Sequence, residues 1–225
     1  MVYIRNKKRL GFVKSLRKGI EMSRGEYIAR LDDDDIWCDQ RKLEKQVGFL
    51  ETHPDYVLCG GGLIIREENL RNLLTLKWLN PEKDEEIRKA MLFGTMFASS
   101  SVVFRKNAYE EVGGYDEELD YCEDWNLWLK LGRVGKLYNF PDYFFHYSQD
   151  SKVFKTKWRE KFARTGLKLI IKYRNDYPHF YKAFLYFLVS YIYSVFLFPF
   201  RGILKPVRSK IRKKFNKFVG ISFPK

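Results

Sequence analysis

Tyr27-Ile28-Ala29-Arg30-Leu31 is a short, mostly apolar run that stops in four consecutive aspartates, Asp32 to Asp35. The run reads as a buried strand. A block of like charge cannot enter a sheet interior unpaired, so its carboxyl end must face solvent or a cation. Upstream, Phe12, Val13, Leu16 and Ile20 recur at helical spacing, with Lys14, Arg17, Lys18 and Glu21 opposite and Gly25 placed to end the helix. Downstream, Leu43, Val47 and Leu50 mark a helix face over about Gln40–Glu51, and Tyr56–Cys59 returns as a strand. Glycines 60–62 indicate a turn, a bulge or a close backbone approach. With Val2-Tyr3-Ile4 as an opening β-type run, this alternation predicts an α/β fold: a mostly parallel central sheet flanked by helices.

The middle of the chain is less regular. Asn80-Pro81 is a predicted N-cap and first helical residue, opening a helix through about Phe93. Ser101–Phe104 is strand-like, and Asn107–Val112 predicts a short helix closed by Gly113-Gly114. Trp125, Trp128, Leu129 and Leu131 give another apolar helix face, ending at Gly132. No internal repeat breaks residues 1–150, which read as one domain, followed by a helical extension over 151–225.

The acidic run carries the strongest chemical signal. Ligands of open α/β sheets bind beyond the carboxyl ends of strands, where this cluster falls. Adjacent aspartates repel, and Mg²⁺ or Mn²⁺ is the natural compensator, held by one or two carboxylates with phosphate oxygens and water completing the shell. In an extended segment Asp32 and Asp34 would share a face. A solvated acidic turn, with Asp39 capping the next helix, is the plain alternative. The position, closing an apolar strand ahead of Ile36-Trp37 and a basic amphipathic helix, favours the metal reading. Glu123-Asp124 forms a second constellation at the start of the Trp-rich helix. There the backbone N–H groups and helix dipole keep a carboxylate ionised, as a general base requires. Spacing alone reads equally as an ordinary acidic first turn.

The ordered set of motifs resembles family 2 glycosyltransferases of the GT-A fold. The stretch from Gly25 to Trp37, followed by Arg41-Lys42-Leu43-Glu44-Lys45-Gln46, is similar to the segment around that family's D-x-D motif. Ser100–Lys106, Gly113-Gly114-Tyr115-Asp116 and Glu123–Leu129 resemble its acceptor-side half, so the likeness covers roughly residues 1–147. The resemblance implies inverting transfer from a nucleotide-sugar donor to a glycan or lipid-linked acceptor. It implies Asp34 as direct metal ligand, Asp32 at the ribose or metal shell, and Asp33 beside them on the donor side. It also implies Asp124 as base, with Glu123 in reserve, and Arg41, Ser100 and Ser101 as pocket-lining residues. Two departures accompany it. Relatives often carry a histidine just before the Ser-Ser-Val segment, where this chain has Ser99. Relatives also open with strands and a Pro-x-Tyr-Asn-like loop that contact the nucleotide, and this chain starts after the equivalent point. The expectation is an incomplete nucleotide pocket and an exposed sheet edge.

The net charge of +14 is concentrated late: residues 201–225 hold nine Lys/Arg and no Asp/Glu, leaving about +5 for residues 1–200. Ala183–Phe200 contains 18 residues without a charge, at the short limit for a span. The pattern predicts an apolar helix over 177–200 and a basic amphipathic tail over 201–220. Such a pair fits an anionic membrane surface rather than nucleic acid, with in-plane binding preferred to spanning. The N-terminus has no secretory h-region, and Cys38, Cys59 and Cys122 form no metal or redox pair. A cytoplasmic, peripheral or monotopic protein is expected. Two rival readings are a catalytically impaired fragment partnering a complete transferase and a metal-dependent phosphohydrolase. The latter is disfavoured because His53, His146 and His179 are scattered.

Overall fold

The computed structural model describes residues 2–69, 72–119, 121–148 and 156–197. In chain order these form α1 (Phe12–Met22), β1 (Tyr27–Ala29), β2 (Ile36–Trp37), α2 (Lys42–Thr52), β3 (Tyr56–Asn69), β4 (Asn72–Trp78) and α3 (Asp84–Ala90). They continue as β5 (Val103–Arg105), α4 (Lys106–Glu111), α5 (Glu123–Leu131), β6 (Lys136–Ser148), α6 (Thr156–Lys172) and α7 (Phe180–Ile192). A π-helical turn, Tyr193–Leu197, prolongs α7.

The sheet runs β1-β5-β3-β6-β2, with β4 forming a hairpin on β3. It is mixed, which corrects the expected mostly parallel sheet. Among the described residues only β3 and β6 pair in parallel; the β1–β5, β5–β3, β3–β4 and β6–β2 pairings are antiparallel. The predicted strand–helix–strand unit does deliver β1 and β3 in a common direction. β5, however, slides between them running the other way, and three residues are too few to announce that by periodicity. The long strand β6 escaped the sequence reading because Pro141 interrupts it. The chain absorbs Pro141 at register shifts on either side of Gly62, where Phe140 faces Gly61 and Tyr143 faces Gly62.

Gly60–Gly62 are therefore interior strand residues that admit close neighbours. A Cβ on Gly61 would lie 2.4 Å from the buried Phe144 ring, and one on Gly60 would lie 2.6 Å from Asn139 Oδ1. Gly61→Ala is expected to destabilise the fold by roughly 1–3 kcal/mol through overpacking, read as a lower urea midpoint at unchanged m.

Three local expectations are corrected. Val2-Tyr3-Ile4 forms no strand; Val2 and Tyr3 are solvent-exposed, with no neighbouring strand pairing their backbone among the described residues. Asn80 does not cap a helix, because its side chain accepts the Trp78 indole N–H at 3.0 Å and α3 starts at Asp84. Gly25 lies past the end of α1, which Ser23 closes with bonds from its N–H and hydroxyl to the Ile20 carbonyl.

α5 is the centre of the core, with Trp125, Leu127, Trp128, Leu129 and Leu131 all buried. The described part of the C-terminal extension packs on it. Tyr173 and the following Tyr177 donate hydroxyl bonds to Asn126 Oδ1 (2.8 Å) and the Leu129 carbonyl (2.7 Å). Phe187 of α7 stacks on Trp125 at 5.4 Å, and Gly166 of α6 leaves room for that ring. No helix among the described residues is long and apolar enough to cross a membrane. The basic tail, 201–220, lies outside the described residues, as do residues 198–200 of the expected apolar helix.

Candidate active site

The acidic run folds as a tight turn. The Asp35 N–H donates to the Asp32 carbonyl at 3.2 Å, putting Asp33 and Asp34 at the exposed corners while Asp35 is buried. The expected sharing of one extended face by Asp32 and Asp34 is thus corrected, since the chain reverses between them. Asp32 and Asp35 instead converge on Ser100. Its hydroxyl accepts the Asp32 N–H at 3.1 Å and donates to the Asp35 carboxylate at 2.5 Å. The Trp37 indole N–H donates to the Ser100 carbonyl at 2.8 Å, clamping the other side of the turn. Ser101 lies deeper: its hydroxyl donates to the Ala98 carbonyl at 2.8 Å and accepts the Gly61 N–H at 3.3 Å. Both serines are fully buried braces beneath the turn.

Arg30, a buried cation immediately after β1, explains how the turn is aimed. Its Nε and Nη2 donate to one oxygen of Asp32 at 3.1 and 2.9 Å, and its Nη1 donates to the Tyr115 hydroxyl at 3.1 Å. Burial opposes the guanidinium charge. Tyr115, Asp32 and Asp124 more than offset it and hold the pKa above the ordinary arginine value. Tyr115 is delivered by Gly113 and Gly114, both in left-handed conformations (φ 74° and 63°) that a side chain would strain. Arg17 of α1 pins the same loop by donating to the Tyr115 carbonyl at 2.7 Å. A cleft of about 380 Å³ between α1 and β1 is lined by Leu16, Ile20, Ile28, Arg30 and Tyr115, among others.

Glu123 and Asp124 open α5 just after Cys122, whose φ of 62° turns the chain into the helix. One oxygen of Asp124 accepts the Trp125 N–H at 2.6 Å, and the other accepts the Ser99 hydroxyl at 3.2 Å. Ser99, noted in the sequence only as a departure, thus holds this carboxylate. The run 99–101 consequently touches both halves of the site: Ser99 meets Asp124, and Ser100 meets Asp32 and Asp35. Burial, then the charge of Asp124, pushes the Glu123 carboxyl up to about 7. Burial likewise raises Asp124, against the opposing pull of Arg30 and the bonds from Trp125 and Ser99. On β6, burial and then the charges of Asp35, Asp34 and Asp32 raise the Tyr147 phenol.

Arg41 lies at the start of α2, exposed and paired with Glu44 at 2.9 Å. Beside it, Lys42 is buried with its ammonium 4.4 Å from the Trp37 ring centre, and burial lowers its pKa to about 8. The donor set for a cation is all oxygen. No group of three or more His, Cys, Asp or Glu converges among the described residues. Exposed Asp34, with Asp32 partly committed to Arg30, could hold Mg²⁺ or Mn²⁺ with phosphate and water completing the shell.

The family model for glycosyl transferase family 2 matches residues 1–113. The amylovoran biosynthesis glycosyltransferase AmsE of Erwinia amylovora is 31% identical over 191 residues, covering 84% of this chain and 70% of the relative. This chain belongs to glycosyl transferase family 2. An uncharacterized glycosyltransferase of Haemophilus influenzae is 31% identical over 183 residues, covering 76% of this chain but 56% of its own length. Two solved structures share the GT-A-type fold. The mannosyltransferase PcManGT of Pyrobaculum calidifontis, in complex with GDP-Man and Mn²⁺, aligns at TM-score 0.55 and 14% identity over 97% of this chain and 65% of that one. TarS of S. aureus in complex with UDP aligns at TM-score 0.51 and 14% identity over 81% of this chain and 52% of that one. The chain therefore spans about half to two thirds of the structures it matches. Arg30 contacts Asp32 of the acidic turn, Ser99 contacts Asp124 and Tyr115 contacts Arg30, and motif reading gave none of the three a role. Arg30 alone had a legible signal, as a charge within the apolar run Tyr27–Leu31.

Proposed function

We propose that this chain transfers a sugar from a nucleotide-sugar donor to a hydroxyl of a glycan or lipid-linked acceptor, with inversion at the anomeric carbon. The observation that carries the reading is the joining of the acidic turn to the Glu123-Asp124 pair through Arg30 and Ser99–Ser100. Asp34, with Asp32, would hold Mg²⁺ or Mn²⁺, which supplies charge neutralisation for the donor diphosphate. Asp33 sits beside them on the donor side, and Arg41 could swing from Glu44 toward a phosphate. Arg30 keeps the Asp32 carboxylate oriented. Asp124, held by Ser99 and the first turn of α5, takes the proton from the acceptor hydroxyl as its oxygen attacks the face opposite the leaving group. Glu123 shares that proton's environment and is the secondary candidate. Burial raises both carboxyls above the ordinary range, which favours proton acceptance at this position.

The ligands of two structural neighbours, GDP-Man with Mn²⁺ and UDP, support a nucleotide-sugar donor for this chain. Calorimetric titration with UDP- and GDP-sugars, with and without Mn²⁺, is the direct test. Metal-dependent binding of one nucleotide class is expected. Absence of binding by this chain, with its fold intact, would overturn the transferase reading in favour of a non-catalytic partner role.

A further inference from the structure

α7 carries an inverted pattern for a surface helix. Its inner face is apolar, as expected, with Ala183 and Phe187 buried against α6 and Trp125. Its outer face is apolar too. Every exposed residue from 181 to 195 is hydrophobic: Tyr181 (84% exposed), Leu185 (52%), Val189 (48%), Ile192 (42%) and Val195 (37%). Steps of four and three residues put them on one stripe of the helix. A water-facing helix would carry charges there, and a continuous apolar stripe marks an interaction surface.

The sequence that follows decides among occupants. Residues 201–225 bring nine cations and no acid directly after this stripe. A second copy docked on the stripe would add a second segment of the same charge with no acid to balance it, and like charges repel. An anionic lipid surface suffers no such repulsion and satisfies both features at once. We propose that the stripe Tyr181–Leu185–Val189–Ile192 docks in the interface of an anionic bilayer, with the cationic sequence beyond it supplying the electrostatic attraction. This rests on the proposed lipid-linked or surface acceptor only for its purpose, because docking requires no turnover. α7 contacts Trp125 of α5, the helix that begins with Glu123-Asp124, so the docked face is rigidly tied to the acceptor side.

The test is co-sedimentation of the full chain with phosphatidylcholine vesicles, with and without phosphatidylglycerol. The chain is expected to bind the anionic vesicles, and less so as salt rises. Leu185→Gln with Val189→Gln is expected to lower the partition coefficient at least about tenfold with an unchanged Tm, while Leu185→Ile with Val189→Leu binds as the parent does. Tyr181→Ser, at the most exposed position, serves as the second variant should the pair unfold, and is expected to weaken binding in the same sense. Three results would overturn the inference: undiminished binding by these polar variants, equal binding to neutral vesicles, or a dimer that the polar variants dissociate with no vesicle binding. Donor binding measured on the same samples separates the outcomes. In the parent chain, no binding to anionic vesicles with intact donor binding overturns the docking inference alone, and vesicle binding without donor binding overturns the transferase reading alone.

Discussion

Asp124→Asn is expected to lower kcat by roughly 10²–10⁴, the range for loss of a positioned base, with little change in thermal stability. Asparagine fills the same volume and keeps an oxygen for the Trp125 N–H, and the Ser99 hydroxyl can rotate to accept from the new amide. What disappears is the proton acceptor. The parent enzyme should also show a signature in pH. Glu123 is pushed up to about 7 and Asp124 is raised as well, each by burial first. A base with a raised pKa is active above it and silenced below it, so the acid limb of kcat/KM should lie above the ordinary carboxylate range, with protonation of Glu123 contributing near 7. Glu123→Gln removes one of two like charges and should move that acid limb to lower pH while preserving most of kcat at pH 8. Full turnover by Asp124→Asn would sink the base assignment. The Glu123→Gln profile shows which carboxylate sets the limb.

The second large effect belongs to the acidic turn. Asp34→Ala should weaken metal-dependent donor binding by roughly a hundredfold, since losing a direct ligand costs at least as much as losing its outer-shell support. The change sits at an exposed turn corner, so stability should stay within about 0.5 kcal/mol of the parent. Asp33→Ala, at the adjacent exposed corner, is the matched control and should cost far less. Titration of Mn²⁺ in the presence of a nucleotide-sugar reads both. Equal affinity for Asp34→Ala and the parent would remove Asp34 from the metal site.

Much of this was legible before any coordinates. The amphipathic helices α1, α2 and α5 announced themselves by period, and α5 by its tryptophans, because helical burial repeats often enough to be counted. The sheet was harder. β1, β2 and β5 are two or three residues long, and the antiparallel insertion of β5 depends on the backbone meeting Tyr27–Ala29 and Leu58–Cys59, not on its own composition. Site membership divided the same way. Asp32–Asp35 and Glu123-Asp124 stand out as charge clusters, whereas Ser99 and Tyr115 matter only because folding sets them against Asp124 and Arg30. The turn conformation of the aspartates was one of two readings open in the sequence, but the brace that fixes it, the Ser100 hydroxyl 65 residues from Asp35, was not visible there.

The bolting of α6 and its following turn onto α5 by Tyr173 and Tyr177 bears on any attempt to trim the protein. A cut near residue 150 looks natural from hydropathy, yet it would strip Phe162 and Phe187 from the Trp125 ring and leave the Asn126 carboxamide facing water. Those contacts lie within one turn of the two carboxylates. A shortened chain would thus be a poor minimal catalyst even with every motif retained, and a helical segment that resembles a detachable anchor is part of the hearth on which the site is built.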